Sequence, residues 1–165
     1  MLQESCDSND NFQQIMVELA ATARALQLWF HGAHHVTKGT AFIGAHVNLY
    51  GAIYEKLADE FDAIIEKAIG IGEDESVACP VMLTGRSLEL LQQYPSPVGL
   101  NSLALVSCAR ALLRGYLGFL RHVSEELGEA DELTLGLDDF LAASANGHET
   151  FVYLLGQREK AELDA

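Results

Sequence analysis

An all-α fold, a four-helix bundle with one long crossover, follows from three observations. Apolar residues recur every three or four positions over long stretches of the chain. All three prolines, Pro80, Pro95 and Pro97, fall in the middle, which leaves residues 10–70 and 98–165 without that helix breaker. A composition that is 49% hydrophobic and 21% charged over 165 residues suits one domain with a full core and excludes a chain that cannot collapse.

The first helix presents Phe12, Ile15, Met16, Leu19, Ala23, Leu26 and Phe30 on one face, takes Ser8, Asn9 or Asp10 as N-cap, and runs to about Val36. Thr37-Lys38-Gly39-Thr40 reads as a turn. A second helix covers about Phe42 to Ile69, closed by Gly70 and Gly72 as C-terminal glycines. Residues 71–97 form the crossover, with a short helix over Ser87 to Gln93. The third helix, about Val98 to Leu127, spaces Leu103, Val106, Leu113, Leu117 and Leu120 for a core and ends at Gly128. The fourth, about Asp138 to Glu162, is interrupted by Gly147 and Gly156, each a helix-weakening residue. Four helices with the long connection between the second and third is the ferritin-like connectivity. The expected organisation is one domain over 1–165 with a short acidic tail over 1–9.

Charge narrows the function classes. Ten basic residues against 24 acidic ones give a formal charge of −14, which opposes affinity for phosphate backbones and concentrates cations near the surface. Cys6, Cys79 and Cys108 include no C-x-x-C pair, so they form neither a disulfide framework nor a zinc signature and suit a reducing compartment. Residues 1–10 are acidic and polar, the reverse of a signal peptide, and no uninterrupted apolar run reaches about 18 residues. The expectation is a soluble cytoplasmic protein with no membrane partner.

The chemistry concentrates in one stretch. Four of the six histidines, His31, His34, His35 and His46, fall within 16 residues. Asp62 and Glu66 follow at i,i+4 and share a helix face. Imidazole with carboxylate oxygens is a ligand set for iron, manganese or zinc. Taken alone, such a carboxylate pair is usually a solvated helix face. No Glu has a His three residues later, which speaks against a di-iron site inside the bundle. Cys108 on an apolar face reads as a buried thiol, and His122 and His148 as structural residues. The acidic run of Glu125, Glu126, Glu129, Asp131, Glu132, Asp138 and Asp139 is, on composition, a solvated loop.

The run from His34 through His35, Gly39, Phe42 and Gly44 to His46, followed by Asp62-x-x-x-Glu66, resembles the Dps family of miniferritins. That family's motif has two histidines twelve residues apart around a Gly-x-x-Phe turn, then D-x-x-x-E on the second helix. The close match covers about residues 26–72. The resemblance implies a hollow homo-dodecamer that oxidises Fe(II), usually with hydrogen peroxide, and stores ferric iron inside. It places the ferroxidase centre between two subunits, with His34 and His46 from one chain and Asp62 and Glu66 from the other. It also implies three-fold pores lined by acidic side chains, with Asp131, Glu132, Asp138 and Asp139 as candidates. DNA compaction in the family usually depends on a Lys/Arg-rich N-terminal extension. Here the first ten residues hold three acids and no base precedes Arg24, which argues against DNA as a partner.

Two departures from the family pattern bear on the site. Where an Asp usually follows the second histidine by four residues, this chain has Tyr50, readable as a redox residue, a ligand, or packing, with Tyr54 one turn further on. From His46 to Asp62 there are 16 steps instead of the usual 15. At ~100° per residue, 15 steps return a side chain to within about 60° of its starting direction, and 16 leave it ~160° away. One extra residue absorbed in a π-bulge restores the alignment, and Gly51 is the natural place for it. Without the bulge Asp62 and Glu66 face away, and the chain reads instead as a shell or interaction protein of the same fold with a degenerate metal site.

Overall fold

A computed structural model describes residues 11–39 and 42–164; the tail over 1–9, the candidate N-caps Ser8, Asn9 and Asp10, and Thr40 lie outside the described residues. The elements are α1 (Asn11–Val36), a π-helical segment (Gly44–Gly51) that leads directly into α2 (Ala52–Gly72), a 3-10 turn (Glu75–Ala78), α3 (Pro80–Leu91), α4 (Ser102–Glu129) and α5 (Leu135–Leu163). No strand occurs among the described residues. α1 packs against α2, and α4 against α5. α3 lies in the crossover and rests on α1.

The core follows the periodic apolar residues. Met16, Leu19, Leu26 and Phe30 from α1 meet Ile53, Leu57 and Ile64 from α2, Leu113, Leu120 and Leu127 from α4, and Leu137 from α5, all buried. At ~25 cal/mol per Å² of apolar surface removed from water, this burial is the dominant favourable term for the bundle. α4 is long and apolar enough to cross a membrane, but Leu105, Val106, Leu113, Leu120 and Leu127 on it belong to the bundle core.

The crossover is pinned at two points. Arg86 on α3 grips Glu18 on α1 through Nε at 2.7 Å and Nη2 at 2.9 Å, and Trp29 Nε1 donates to the Pro95 carbonyl at 2.6 Å. The short helix starts at Pro80, earlier than the expected Ser87, because proline at the first helical position needs no hydrogen bond and has the right φ.

The glycines that read as helix ends or interruptions, Gly70, Gly72, Gly128, Gly147 and Gly156, all lie within helices. Gly72 continues α2, and the left-handed residue that ends the helix is Glu73, at φ 54°. A Cβ at residue 72 would fall on the Gln13 carboxamide. α5 runs unbroken through Gly147 and Gly156, which are notches: a Cβ would meet Lys56 Cε at 2.5 Å at the first and the Arg110 guanidinium at 3.1 Å at the second. Lys56 needs that room to reach Glu60 Oε1 at 2.8 Å. Glu60 is buried in the bundle, where His148 Nε2 donates to its Oε2 at 2.8 Å and the Tyr116 hydroxyl lies 3.5 Å away. His148 is thus a structural residue that satisfies a buried carboxylate.

Candidate metal centre

The end of α1 and the π segment bring the four clustered histidines to one face. α1 carries His31, His34 and His35 through its last turns, and the chain turns at Thr37–Gly39 and re-enters helix at Phe42. His46 then comes back over His34, and their rings stack with centroids 3.6 Å apart and planes 22° from parallel. Phe42 stacks on the other side of His46 at 4.8 Å.

The two rings are locked crosswise. His34 Nδ1 lies 2.6 Å from the His46 carbonyl oxygen, and His46 Nδ1 lies 2.8 Å from the His34 carbonyl oxygen. A carbonyl oxygen only accepts, so each ring donates its Nδ1–H. In the neutral rings this leaves both Nε2 lone pairs available, the tautomer and orientation that a metal-ligating histidine requires. Both side chains are half-buried.

The π segment decides what else joins the pair. Its eight residues, Gly44–Gly51, absorb the extra residue that the His46–Asp62 spacing demands. The 16 steps then rotate like about 15, which brings Asp62 to within about 60° of the His46 direction and Glu66 to about 100°, instead of ~160° for both. Gly51 makes the turn possible, because a Cβ there would stand 2.8 Å from the His46 carbonyl oxygen and 3.4 Å from His34 Nδ1. Asp62 and Glu66 themselves are exposed, with no hydrogen-bond or ion-pair partner among the described residues. Within one chain they do not meet the histidines, and no group of three metal-ligating side chains converges among the described residues.

Tyr50 does not join the histidines either. It points into the core, 2% exposed, with its ring 6.5 Å from Phe30. Burial pushes its phenol pKa well up, with the Arg158 charge only partly opposing this, so the residue is set against forming a tyrosinate. The phenol beside the histidines belongs to Tyr54, whose ring centroid lies 4.7 Å from that of His31 and 5.2 Å from that of His34. Tyr54 was visible in the sequence one turn beyond Tyr50; which of the two faces the histidines depends on the π segment. His31 and His35 form a further contact, with Nε2 atoms 3.1 Å apart.

The candidate pore residues gather at the α4–α5 turn. Asp131 is exposed with a left-handed backbone, φ 60°, Glu132 is half-buried, and Asp138 and Asp139 are exposed near the start of α5. On the segment that carries His46, Phe42, Ile43 and Val47 are 42%, 74% and 55% exposed.

No protein-family model matches the chain, and no curated protein matches it by sequence. Solved structures do match its fold. A C-terminal deletion mutant of Mycobacterium smegmatis Dps superposes with a TM-score of 0.71 at 18% identity, covering 90% of this chain and 96% of that one. The tetragonal form of Mycobacterium smegmatis Dps gives the same TM-score and identity, covering 94% and 90%. The chain therefore has the Dps fold, a ferritin-like all-α bundle, over nearly its whole length.

Proposed function

We propose that this chain is an iron-oxidising miniferritin whose catalytic centre is completed between two copies. His34 and His46 of one copy present their Nε2 atoms to Fe(II), and Asp62 and Glu66 of a second copy supply carboxylate oxygens. The imidazoles suit the ferrous ion, whereas anionic oxygens stabilise Fe(III) more than Fe(II) and so assist loss of the electron. With hydrogen peroxide as oxidant, two Fe(II) each give up one electron, the O–O bond takes both and breaks, and two protons from solvent complete two waters. The product ferric ions are stored inside a homo-oligomeric shell of twelve copies, in a reducing, cytoplasmic setting. Asp131, Glu132, Asp138 and Asp139 would gather the incoming cations at its openings. On this reading Tyr50 packs the core, and DNA is not a partner.

The observation that carries the reading is the crosswise lock of His34 and His46. Two imidazoles held by each other's backbone carbonyls, with both Nε2 atoms spared, form half of a metal site without the other half. The free carboxylates of Asp62 and Glu66 and the exposed apolar side chains of Phe42, Ile43 and Val47 supply the missing half and the surface that brings it.

The test is complementation. His46→Ala and the double variant Asp62→Ala/Glu66→Ala should each assemble and each lose fast Fe(II) oxidation. Refolded together in equal amounts, they should regain roughly a quarter of the wild-type sites, because half the two-fold pairs are mixed and each mixed pair has one intact centre. Wild-type oxidation in both single assemblies would leave a shell of the same fold with no ferroxidase centre at these residues.

A further inference from the structure

A second pair of histidines lies beside the first and is used by nothing described so far. His31 and His35 are one turn apart on the exposed face of α1, with rings 4.6 Å apart and Nε2 atoms converging to 3.1 Å. As a hydrogen bond this contact needs one ring with its proton on Nε2 and the other with a lone pair there, and between exposed side chains it contributes little.

The separation has another meaning. Two metal–imidazole bonds of about 2.0–2.1 Å span 3.1 Å when they meet at about 100°, between the octahedral and tetrahedral angles. The His-x-x-x-His spacing is also the one with which two histidines of a single helix hold zinc in the H-E-x-x-H arrangement. Neighbouring rings fix the pair: Tyr54 packs on His31 at 4.7 Å, and His34 meets His35 edge-on at 5.1 Å.

We propose that His31 and His35 chelate one divalent transition ion through their Nε2 atoms, a second metal site next to His34 and His46. Two imidazoles select the later ions, Ni(II), Cu(II) and Zn(II), over Mg(II) and Ca(II). The ion takes the place of the shared proton, which passes through solvent to Nδ1 of its own ring, so the charge of the pair is unchanged and water fills the remaining positions. The site does not rest on the ferroxidase reading, since the pair binds whether or not His34 and His46 oxidise iron.

Calorimetric titration of the assembled full-length protein with Zn(II) near neutral pH tests this. His31→Ala and His35→Ala alter exposed side chains, so each should keep its helix content and assembly state. Each should lose one Zn(II) per chain or bind it about tenfold or more weakly. The His34→Ala/His46→Ala variant should retain that same Zn(II), with two imidazole ligands in its X-ray absorption spectrum. Zn(II) binding unchanged in both His31→Ala and His35→Ala overturns the site. Loss of iron oxidation with this pattern intact, or the reverse, separates the two proposals.

Discussion

His34 and His46 hold each other through the backbone: each ring's Nδ1 donates to the other residue's carbonyl oxygen, at 2.6 Å and 2.8 Å. The two residues are twelve apart in the chain and come from opposite sides of a turn, so both bonds depend on one register between α1 and the π segment. A slip of one residue would break both at once. The pair is therefore oriented by the fold itself, so on the proposed reading an arriving ion would have little ordering entropy left to overcome.

Gly51→Ala should damage this arrangement directly. Its Cβ would press on the His46 carbonyl at 2.8 Å, the same oxygen that accepts from His34. We expect a loss of about 1–3 kcal/mol in denaturant unfolding, as for other overpacked sites, and a drop in Fe(II) oxidation even where the variant is fully folded. Gly44→Ala is the control: a Cβ there meets nothing within 4 Å, so stability and oxidation should stay close to wild type.

The two tyrosines should separate by role. Tyr50→Phe should leave Fe(II) binding and oxidation unchanged, and Tyr50→Asp should cost about 4 kcal/mol or more, because it buries a carboxylate in the core. Tyr54→Phe should remove any tyrosyl radical seen by electron paramagnetic resonance after peroxide is added to the partly iron-loaded protein. A radical that survives in Tyr54→Phe and disappears in Tyr50→Phe would reverse the assignment.

Glu60 should govern part of the acid stability. Burial raises its pKa more than any other single influence, but the hydrogen bonds and charges of His148 and Lys56 together outweigh it and hold the carboxyl below its ordinary range. A folded pKa below the unfolded one stabilises the fold at pH above the unfolded value, about 4.3, and that contribution is lost as pH falls through the folded value. Glu60→Gln should cost about 2 kcal/mol at neutral pH. The gap between the two proteins should close on acidification below about pH 4, as followed by thermal melts across pH.

Much of the fold was legible because it is local. The three-and-four spacing from Phe12 to Phe30 gives α1 within a residue of its observed end, and the prolines place the crossover. The count of 16 steps from His46 to Asp62 left two readings, a π-bulge near Gly51 or a misaligned pair of carboxylates, and the structure has a π segment that ends at Gly51. Glycines misled where their reason was a neighbour. Gly72, Gly147 and Gly156 look like helix breakers in one dimension, and only their partners Gln13, Lys56 and Arg110 show them to be spaces for side chains.

The sequence by itself determined the helices, the crossover and the clustering of histidines, and it posed the choice between an irregular turn and a misaligned carboxylate pair, because each of these is a matter of period and spacing along the chain. Tertiary structure alone decided that His34 and His46 lock through each other's carbonyls, that Tyr50 turns inward while Tyr54 faces the histidines, and that the Nε2 atoms of His31 and His35 converge. These depend on side-chain direction after a π turn. A single absorbed residue rotates everything beyond it by ~100°, and where those rotated side chains come to rest is set by the elements packed against them.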